Sequence, residues 1–254
     1  MKRFPDLPNK PLIEAIAEIK WGKESELDPG FQVIVGRLYE RLQGDYPEIE
    51  DLPTAQVPPA MTIHMARHRF RRKKDGWPLV QIGPGILTVN ETETYRWDDF
   101  SSRVKVALAK LYDVQPFREG ININQLLLRY INAIEFDYLS QDLTALLSKK
   151  MRAHISIPRE LFQQTPVRER LQGLNLQLTF PAESPRGVFH VAFGTGRKED
   201  KRALIWELQM RSAGPDVPDM PLAFDTWLAS AHELAEQWFF EIIKGELLES
   251  FLTK

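Results

Sequence analysis

Residues 11–21 constrain the fold most, because their apolar and polar side chains alternate at a period of two. The apolar positions that share one face are Ile13, Ala15, Ala17, Ile19 and Trp21. Glu14, Glu18 and Lys20 share the opposite face. This alternation is typical of an antiparallel strand with one buried and one solvated side, whereas a parallel strand is usually apolar on both sides. The segment therefore predicts an antiparallel sheet.

The remaining patterns predict an α+β fold that is mainly antiparallel sheet, with long helices packed on it. Further strands are predicted at residues 60–70, 79–82, 86–90, 125–138, 151–157, 174–180, 188–193 and 203–210. Helical stripes of apolar residues cover 31–44, 97–112 and 224–251, and a shorter helix is predicted at 142–149. Asp28-Pro29 is typical of a helix start, and Gly83-Pro84-Gly85 of a tight turn. Consecutive strands precede the helices at 97–112 and 224–251, and strands outnumber helices, which distinguishes this class from a doubly wound α/β fold.

A short motif at the start of two of these helices suggests internal duplication. Trp97-Asp98-Asp99-Phe100 and Phe224-Asp225-Thr226-Trp227 both read aromatic-Asp-x-aromatic. Their acidic residues fit the first turn of a helix, where the helix dipole favours negative charge. One hypothesis is a pair of pseudo-repeated β-α-β-β-β-α halves, residues 1–139 and 140–254. The alternative is one compact unit whose amphipathic helices are unrelated.

Charge and cysteine content exclude several classes of protein. Lys and Arg number 33 against 35 Asp and Glu, and the formal net charge of −2 argues against binding nucleic acid over the whole surface. The absence of cysteine excludes disulfide frameworks, thiolate metal sites and a cysteine nucleophile. No apolar run approaches the roughly 18 residues of a membrane span. Prolines and polar residues follow Met1-Lys2-Arg3, so a cytoplasmic location without a membrane partner is expected.

Several short strings, taken together in their order, resemble a known family. They are residues 11–15 (PLIEA), 81–90 (QIGPGILTVN), 95–100 (YRWDDF), 128–132 (LRYIN), and His232-Glu233 before the aromatic residues 238–240. With these strings the chain resembles a sporadically distributed family of bacterial and archaeal proteins that has no assigned function. The resemblance spans nearly the whole chain and implies one unit of this length. It implies no catalytic residue.

The histidines give little support for metal binding or catalysis. They are His64, His68, His154, His190 and His232. His64 and His68 fall in a predicted strand, where a spacing of four residues separates them by about 13 Å, too far for one metal ion. His232 has Glu233 and Glu236 nearby, as a general base would, but a boundary position on a helix is the favoured interpretation. We expect no catalytic residue, no metal and no cofactor.

The strongest local excess of charge lies at residues 67–74. This basic run consists of Arg67, His68, Arg69, Phe70, Arg71, Arg72, Lys73 and Lys74. One interpretation is a nucleic-acid site, in which the cations bind phosphates and Phe70 stacks on a base. The other is a solvated hairpin tip, because Asp75-Gly76 follows directly and is a hairpin signal. We favour the hairpin and keep nucleic-acid binding as an alternative function.

A candidate binding site combines aromatic side chains with Arg129. Its members are Asn90, Tyr95, Trp97, Arg129, Tyr130, Asn132 and Trp206. Aromatic residues and arginine are enriched in binding surfaces, although Arg129 in a central strand could instead have a structural partner such as Glu135. The leading prediction is a non-enzymatic cytoplasmic protein, with a homodimer as one option, that binds a protein or small molecule in an aromatic and arginine-lined groove. An enzyme with an unrecognised site is the third alternative.

Overall fold

Nine strands form one antiparallel sheet in the part of the chain that the structure describes. The computed structural model describes residues 4–22, 30–92, 94–114 and 121–253, and the helix start predicted at Asp28-Pro29 lies outside them. The strands are β1 (Leu12–Trp21), β2 (Glu48–Asp51), β3 (His68–Arg71), β4 (Leu79–Gly83), β5 (Ile86–Glu91), β6 (Ile123–Glu135), β7 (Asn175–Glu183), β8 (Arg186–Lys198) and β9 (Lys201–Ala213). Their order in space is β2-β3-β4-β5-β1-β6-β9-β8-β7, and all neighbouring pairs are antiparallel. The predicted α+β class with mainly antiparallel sheet is confirmed.

Helices of very different length accompany the sheet. They are α1 (Phe31–Leu42), α2 (Trp97–Val114), α3 (Leu143–Ala145), α4 (Glu160–Gln163), α5 (Phe224–Ile243) and α6 (Glu246–Leu252). A π-helical turn, Leu146–Lys150, continues α3, and 3-10 turns occur at Pro53–Gln56, Pro59–Met61 and Gly214–Asp216. The last predicted helix is divided into α5 and α6 at Gly245, whose φ of 111° is tolerated by glycine and strained for other residues.

Paired positions across the strands show how the sheet separates an apolar side from a polar side. A row of buried apolar residues crosses from β3 to β8: Phe70, Val80, Val89, Ala17, Leu128, Met210 and Phe189. These residues form one core with the apolar sides of α1, α2 and α5. The adjacent row, on the opposite side, is Arg69, Gln81, Thr88, Glu18, Leu127, Arg211 and Val188. We call the two sides the helix face and the open face.

One predicted strand, at residues 60–70, is wrong over most of its length, and another, at residues 151–157, is absent. Residues 60–67 form a 3-10 turn followed by bends, and the strand begins only at His68. His64 has a φ of 58°, and the segment lies so close to the β4–β5 turn that a side chain at Gly83 would collide with the Met65 carbonyl. Residues 151–157 contain no strand, and Arg152 has a φ of 52° that interrupts extended backbone.

One observed strand has no signal in the sequence. β2 reads EIED, and all four of its residues are exposed. It pairs with β3 along the edge of the sheet, where no apolar alternation is needed because neither side is buried. Prolines and acidic residues between positions 45 and 59 instead predict a surface connection.

Both aromatic-Asp-x-aromatic motifs begin a long helix, as predicted, at Trp97 in α2 and Phe224 in α5. These helices follow β5 and β9, which flank the central pair β1–β6 on opposite sides. Trp97 stacks on His232, and Lys105 pairs with Asp225 at 3.0 Å, so the first turn of each helix lies beside the third turn of the other and the two helices run antiparallel. A pseudo-repeat with a boundary at residues 139 and 140 stays a prediction. β6 belongs to the first proposed half and pairs with β1 of that half and with β9 of the second, so the two halves share one sheet.

Candidate functional site

A cavity of about 420 Å³ opens between an N-terminal segment, the start of α2, β6 and α5. Its apolar wall includes Leu7, Leu12, Leu208, Ala235, Phe239 and Phe240. A volume of this size lies within the range of ligand pockets, which combine a mostly apolar wall with a few placed polar groups. The polar groups of this wall therefore decide what the cavity can hold.

A line of hydrogen bonds runs along the polar wall. The Tyr95 hydroxyl donates to the Tyr130 hydroxyl at 3.1 Å, and the Tyr130 hydroxyl lies 2.9 Å from Nδ1 of His232. Tyr95 precedes α2, Tyr130 belongs to β6 and His232 belongs to α5, so three parts of the chain meet here. Burial raises the pKa of both tyrosine hydroxyls, which keeps them protonated and able to donate.

His232 is neutral in this environment. The Trp97 indole stacks on its imidazole with ring centroids 3.8 Å apart, and 14% of the His232 side chain is exposed. Burial lowers the pKa of His232 from 6.5 to about 4. A neutral imidazole carries one N–H. When Nδ1 accepts from Tyr130, every proton of the line has an acceptor, so the hydrogen-bond network assigns the N–H to Nε2.

Glu236 lies beside the end of this line. Its Oε1 is 4.0 Å from His232 Nε2, which is beyond hydrogen-bond distance. Both residues line the cavity, one helical turn apart on α5. Burial, with a smaller contribution from Glu233, raises the pKa of the Glu236 carboxyl. The line therefore ends in an N–H donor and a carboxyl acceptor that do not satisfy each other.

Asn132 adds a further polar group to the wall. The residue is 2% exposed, and within the described residues its Nδ2 has no hydrogen-bond partner. It follows Tyr130 by two positions on β6 and therefore shares the helix face with that residue. A buried donor without a partner costs about 1–3 kcal/mol, and native proteins retain few of them.

The N-terminal segment, residues 4–11, forms one side of the cavity. The Phe4 ring stacks on Phe240 of α5 with centroids 4.4 Å apart and planes 2° apart. Lys10 Nζ donates to the Tyr95 carbonyl at 3.1 Å. These contacts fasten the segment to α5 on one side and to the start of α2 on the other.

Four of the seven residues predicted for the binding site meet at this cavity, and three do not. Those that meet are Tyr95, Trp97, Tyr130 and Asn132. Arg129 lies on the open face because it neighbours Tyr130 on a strand, and Asn90 lies on that face as well. Trp206 is fully buried in the core, where it packs against Phe239. The single arginine-lined groove is thus not formed, and ligand binding by any of the seven stays a prediction.

On the open face, Arg129 and Asn90 have partners of their own. Arg129 donates to Glu207 Oε2 from Nε at 2.9 Å and from a terminal nitrogen at 2.5 Å. Asn90 Nδ2 donates to Glu14 Oε1 at 2.7 Å. Glu135, the partner considered for Arg129 from the sequence, instead pairs with Lys201. These groups have the satisfied contacts of a structural network.

The basic run is divided between core and surface. Phe70 is fully buried on the helix face of β3, so it cannot stack on a base as the nucleic-acid hypothesis required. Arg67 is also buried, and its guanidinium donates to the Val57 and Ala55 carbonyls at 2.5 and 2.7 Å. The first and fourth residues of the run are therefore parts of the structure and not of a binding surface.

The other cations of the run differ in their pairing. Arg69 and Arg71 both contact Glu50, at 3.4 and 2.9 Å. Arg72, Lys73 and Lys74 are exposed in the connection between β3 and β4. The predicted hairpin is confirmed, because β3 and β4 are paired antiparallel neighbours. Only the three exposed cations keep the charge that the nucleic-acid hypothesis needs.

Sequence reasoning missed much of the cavity wall. It interpreted His232 as a satisfied boundary residue and assigned no role to the N-terminal segment. His232 and Glu236 are four residues apart on α5, so their common face was readable from the sequence. The N-terminal segment carries no periodic pattern, and its contacts join residues distant in the chain.

Comparisons with known proteins give little guidance. No family model matches the chain, and no curated protein matches it. Among solved structures it is similar to the crystal structure of the di-domain ARO/CYC StfQ from the steffimycin biosynthetic pathway, with 8% identity over 94% of this chain and 98% of that chain. The TM-score of 0.24 is too low to establish a common fold. Membership of the sporadically distributed family stays a prediction.

Neither a membrane span nor a metal cluster occurs in the parts of the chain that the structure describes. None of their helices combines the length and the apolar character that crossing a bilayer requires. They also contain no group of three or more His, Asp or Glu side chains placed to hold a metal ion.

Proposed function

We propose that this protein is a cytoplasmic, non-enzymatic binding protein that holds a small apolar ligand in the cavity between the N-terminal segment, β6 and α5. The cavity carries the proposal, because about 420 Å³ of space has a mostly apolar wall and unsatisfied polar groups. His232 Nε2 and the Glu236 carboxyl lie 4.0 Å apart at this wall, and Asn132 Nδ2 has no hydrogen-bond partner among the described residues. Such groups are the usual means by which a pocket orients its ligand.

Titration with N-phenyl-1-naphthylamine, an uncharged fluorescent probe, tests the proposal. The probe should bind at one site with increased emission. Ala235 is buried where α5 lines the cavity, so Ala235→Phe should fill the space and weaken probe binding about tenfold or more. Ala229 is exposed on the same helix, so Ala229→Phe is a matched control and should bind the probe like the unmodified protein.

A second blocking variant keeps this test decisive. Overpacking a core costs about 1–3 kcal/mol, so the fold of Ala235→Phe is checked by circular dichroism. Leu12→Trp changes a half-buried position on another side of the same cavity and should also weaken binding. Absence of probe binding to the unmodified protein, or equal binding by the blocked and control variants, would contradict the proposal.

Nucleic-acid binding is the second candidate, and it depends on the exposed cations Arg72, Lys73 and Lys74. Three phosphate contacts would give a weak, strongly salt-dependent affinity. Titration of single-stranded and double-stranded oligonucleotides at low and moderate salt tests this function, with reversal of all three charges to Glu as the comparison. Unchanged affinity after the reversal, or no binding at low salt, rejects it.

A further inference from the structure

We infer that the ligand of this cavity carries a hydroxyl group, which accepts a hydrogen bond from His232 Nε2 and donates one to the Glu236 carboxylate. The inference rests on the proposed function and names the chemical class of its ligand: an uncharged apolar compound with at least one hydroxyl. It derives from the way in which the line of hydrogen bonds through Tyr95, Tyr130 and His232 ends.

The gap between the two groups has the size of one bridging atom. His232 Nε2 and Glu236 Oε1 are 4.0 Å apart, too far for a direct bond. An oxygen about 2.9 Å from the nitrogen and about 2.7 Å from the carboxylate oxygen would subtend an angle of about 90° between them. Such an oxygen makes ordinary hydrogen bonds to both groups without any movement of α5.

The donor and acceptor character of the two groups selects a hydroxyl. Because Tyr130 donates to Nδ1, Nε2 carries the proton of His232 and needs an acceptor, while Glu236 needs a donor. A ligand carboxylate would accept from Nε2 but would be repelled by Glu236. An ammonium group would satisfy Glu236 but would place N–H against N–H at His232. A hydroxyl both accepts and donates.

The surroundings of the gap favour an uncharged ligand. The two tyrosines and His232 present no net charge to the cavity, and a buried ion needs a compensating partner. Arg96 and Asp98 also line the cavity, but both are exposed and their charges are opposite. Lys10, at the cavity margin, is already engaged by the Tyr95 carbonyl and by Asp6 at 3.4 Å. Stacking against Trp97 fixes the plane of the imidazole, so the direction of its N–H is set before the ligand arrives.

Four probes with one ring system test the inference: naphthalene, 2-naphthol, 2-naphthoate and 2-naphthylmethylammonium. Each is measured at neutral pH by displacement of N-phenyl-1-naphthylamine from the full chain. Two added hydrogen bonds should make 2-naphthol bind about tenfold more tightly than naphthalene. Both charged compounds should bind more weakly than 2-naphthol.

Variants of the two groups should remove the preference and leave the apolar binding. His232→Phe keeps an aromatic ring against Trp97 but has no N–H, and Glu236→Leu has no acceptor. In each, the advantage of 2-naphthol over naphthalene should fall to about threefold or less. Glu233→Leu makes the same change three residues earlier on α5, at a residue that does not line the cavity. This variant should keep the full advantage of 2-naphthol over naphthalene.

The outcomes separate this inference from the proposed function. Probe binding without a preference for 2-naphthol, or a preference that survives both His232→Phe and Glu236→Leu, overturns the hydroxyl and leaves the cavity as a binding site. A charged compound that binds most tightly also overturns it. Failure of N-phenyl-1-naphthylamine itself to bind overturns the proposed function and the inference with it.

Discussion

The two faces of the central strands carry polar networks that end in different ways. On the open face, Asn90 uses both atoms of its amide, because Oδ1 accepts from Thr88 and Gln81 at 2.8 and 3.2 Å and Nδ2 donates to Glu14 at 2.7 Å. On the helix face, Asn132 belongs to β6, which β1 separates from the strand of Asn90. Its Nδ2 has no partner in the described residues. The Nδ2 donor of Asn90 is therefore satisfied, and among the described residues that of Asn132 is not.

This difference separates a polar network that stabilises the fold from one that has groups free to bind a ligand. A closed polar network in a sheet fixes the register of the strands. Its donors and acceptors are all paired, so none is available to a ligand. A network that ends at a cavity leaves donors and acceptors unsatisfied, at a cost in stability that a ligand can recover. In the proposed function, the closed network around Asn90 therefore serves the fold and the helix-face cavity binds the ligand. Buried donors without a partner also lie on the open face, at His190 Nε2 and Arg211 Nε, but neither residue lines the cavity.

The largest expected effect concerns pH and His232. The folded protein holds the pKa of His232 at about 4, below the value of 6.5 that an exposed histidine has. Between these two pH values the unfolded chain binds a proton that the folded chain does not, so the free energy of unfolding falls as the pH falls through this window. The contribution should approach about 3 kcal/mol at pH 4 and vanish above pH 6.5.

Urea unfolding at pH 7 and pH 4.5 measures this contribution as a difference between proteins. His232→Gln should lose much less stability between the two pH values than the unmodified protein, since carboxyl groups titrate alike in both. His154→Gln, which changes an exposed histidine, is the control and should respond to pH like the unmodified protein. An equal pH response of the His232→Gln variant and the unmodified protein would show that the imidazole is not held neutral.

A smaller loss of stability is expected when the closed network is broken at Asn90. Asn90→Leu leaves Glu14, Thr88 and Gln81 without their shared partner at a position that is 4% exposed. The free energy of unfolding should fall by about 2 kcal/mol, while affinity for N-phenyl-1-naphthylamine should not change. Denaturant unfolding and the probe titration measure the two properties. A change in probe affinity would place part of the binding function on the open face.

The fold was predictable where burial imposes a period on the sequence. β1 has one buried and one polar side because it lies between β5 and β6 over the core, and its alternation shows this directly. β2 has no such pattern because both of its sides are exposed. Residues 60–67 have a partial alternation, yet close backbone packing against Gly83 holds them in another conformation. That contact joins residues 18 positions apart, Met65 and Gly83, so the local sequence pattern does not predict it.

The site was predictable only in part, from residues on β6 and at the start of α2. Parity along β6 separates Arg129 from Tyr130 and Asn132, and it should have prevented a groove that contains all three. The partner of Tyr130 is His232, 102 residues later, and that pairing depends on how α5 packs on the sheet. Trp206 belongs to β9, the strand next to β6, but an aromatic residue at that position suits the core as well as a binding site. In the structure it lies in the core.

Removal of the Arg129 charge should have a modest effect. Arg129 and Glu207 are 34% and 29% exposed, and solvent reduces the energy of such a pair. Arg129→Met keeps the apolar part of the side chain and should lower the free energy of unfolding by at most about 1 kcal/mol. Probe binding should be unaffected. A loss of probe binding measured by fluorescence would return Arg129 to the binding site and remove the contrast between the faces.

The smallest effect on stability is expected for Asn132→Leu, the counterpart of Asn90→Leu. Leucine has a similar size and removes a buried donor that has no partner among the described residues, so the desolvation cost of that donor disappears. The free energy of unfolding should stay within about 0.5 kcal/mol of the unmodified protein, against about 2 kcal/mol for Asn90→Leu. Denaturant unfolding of the two variants under one condition gives the comparison directly. A similar loss in both would mean that the Asn132 amide is satisfied in the folded protein. The polar groups at the cavity would then not include an unsatisfied Asn132 donor, and the contrast with Asn90 would fail.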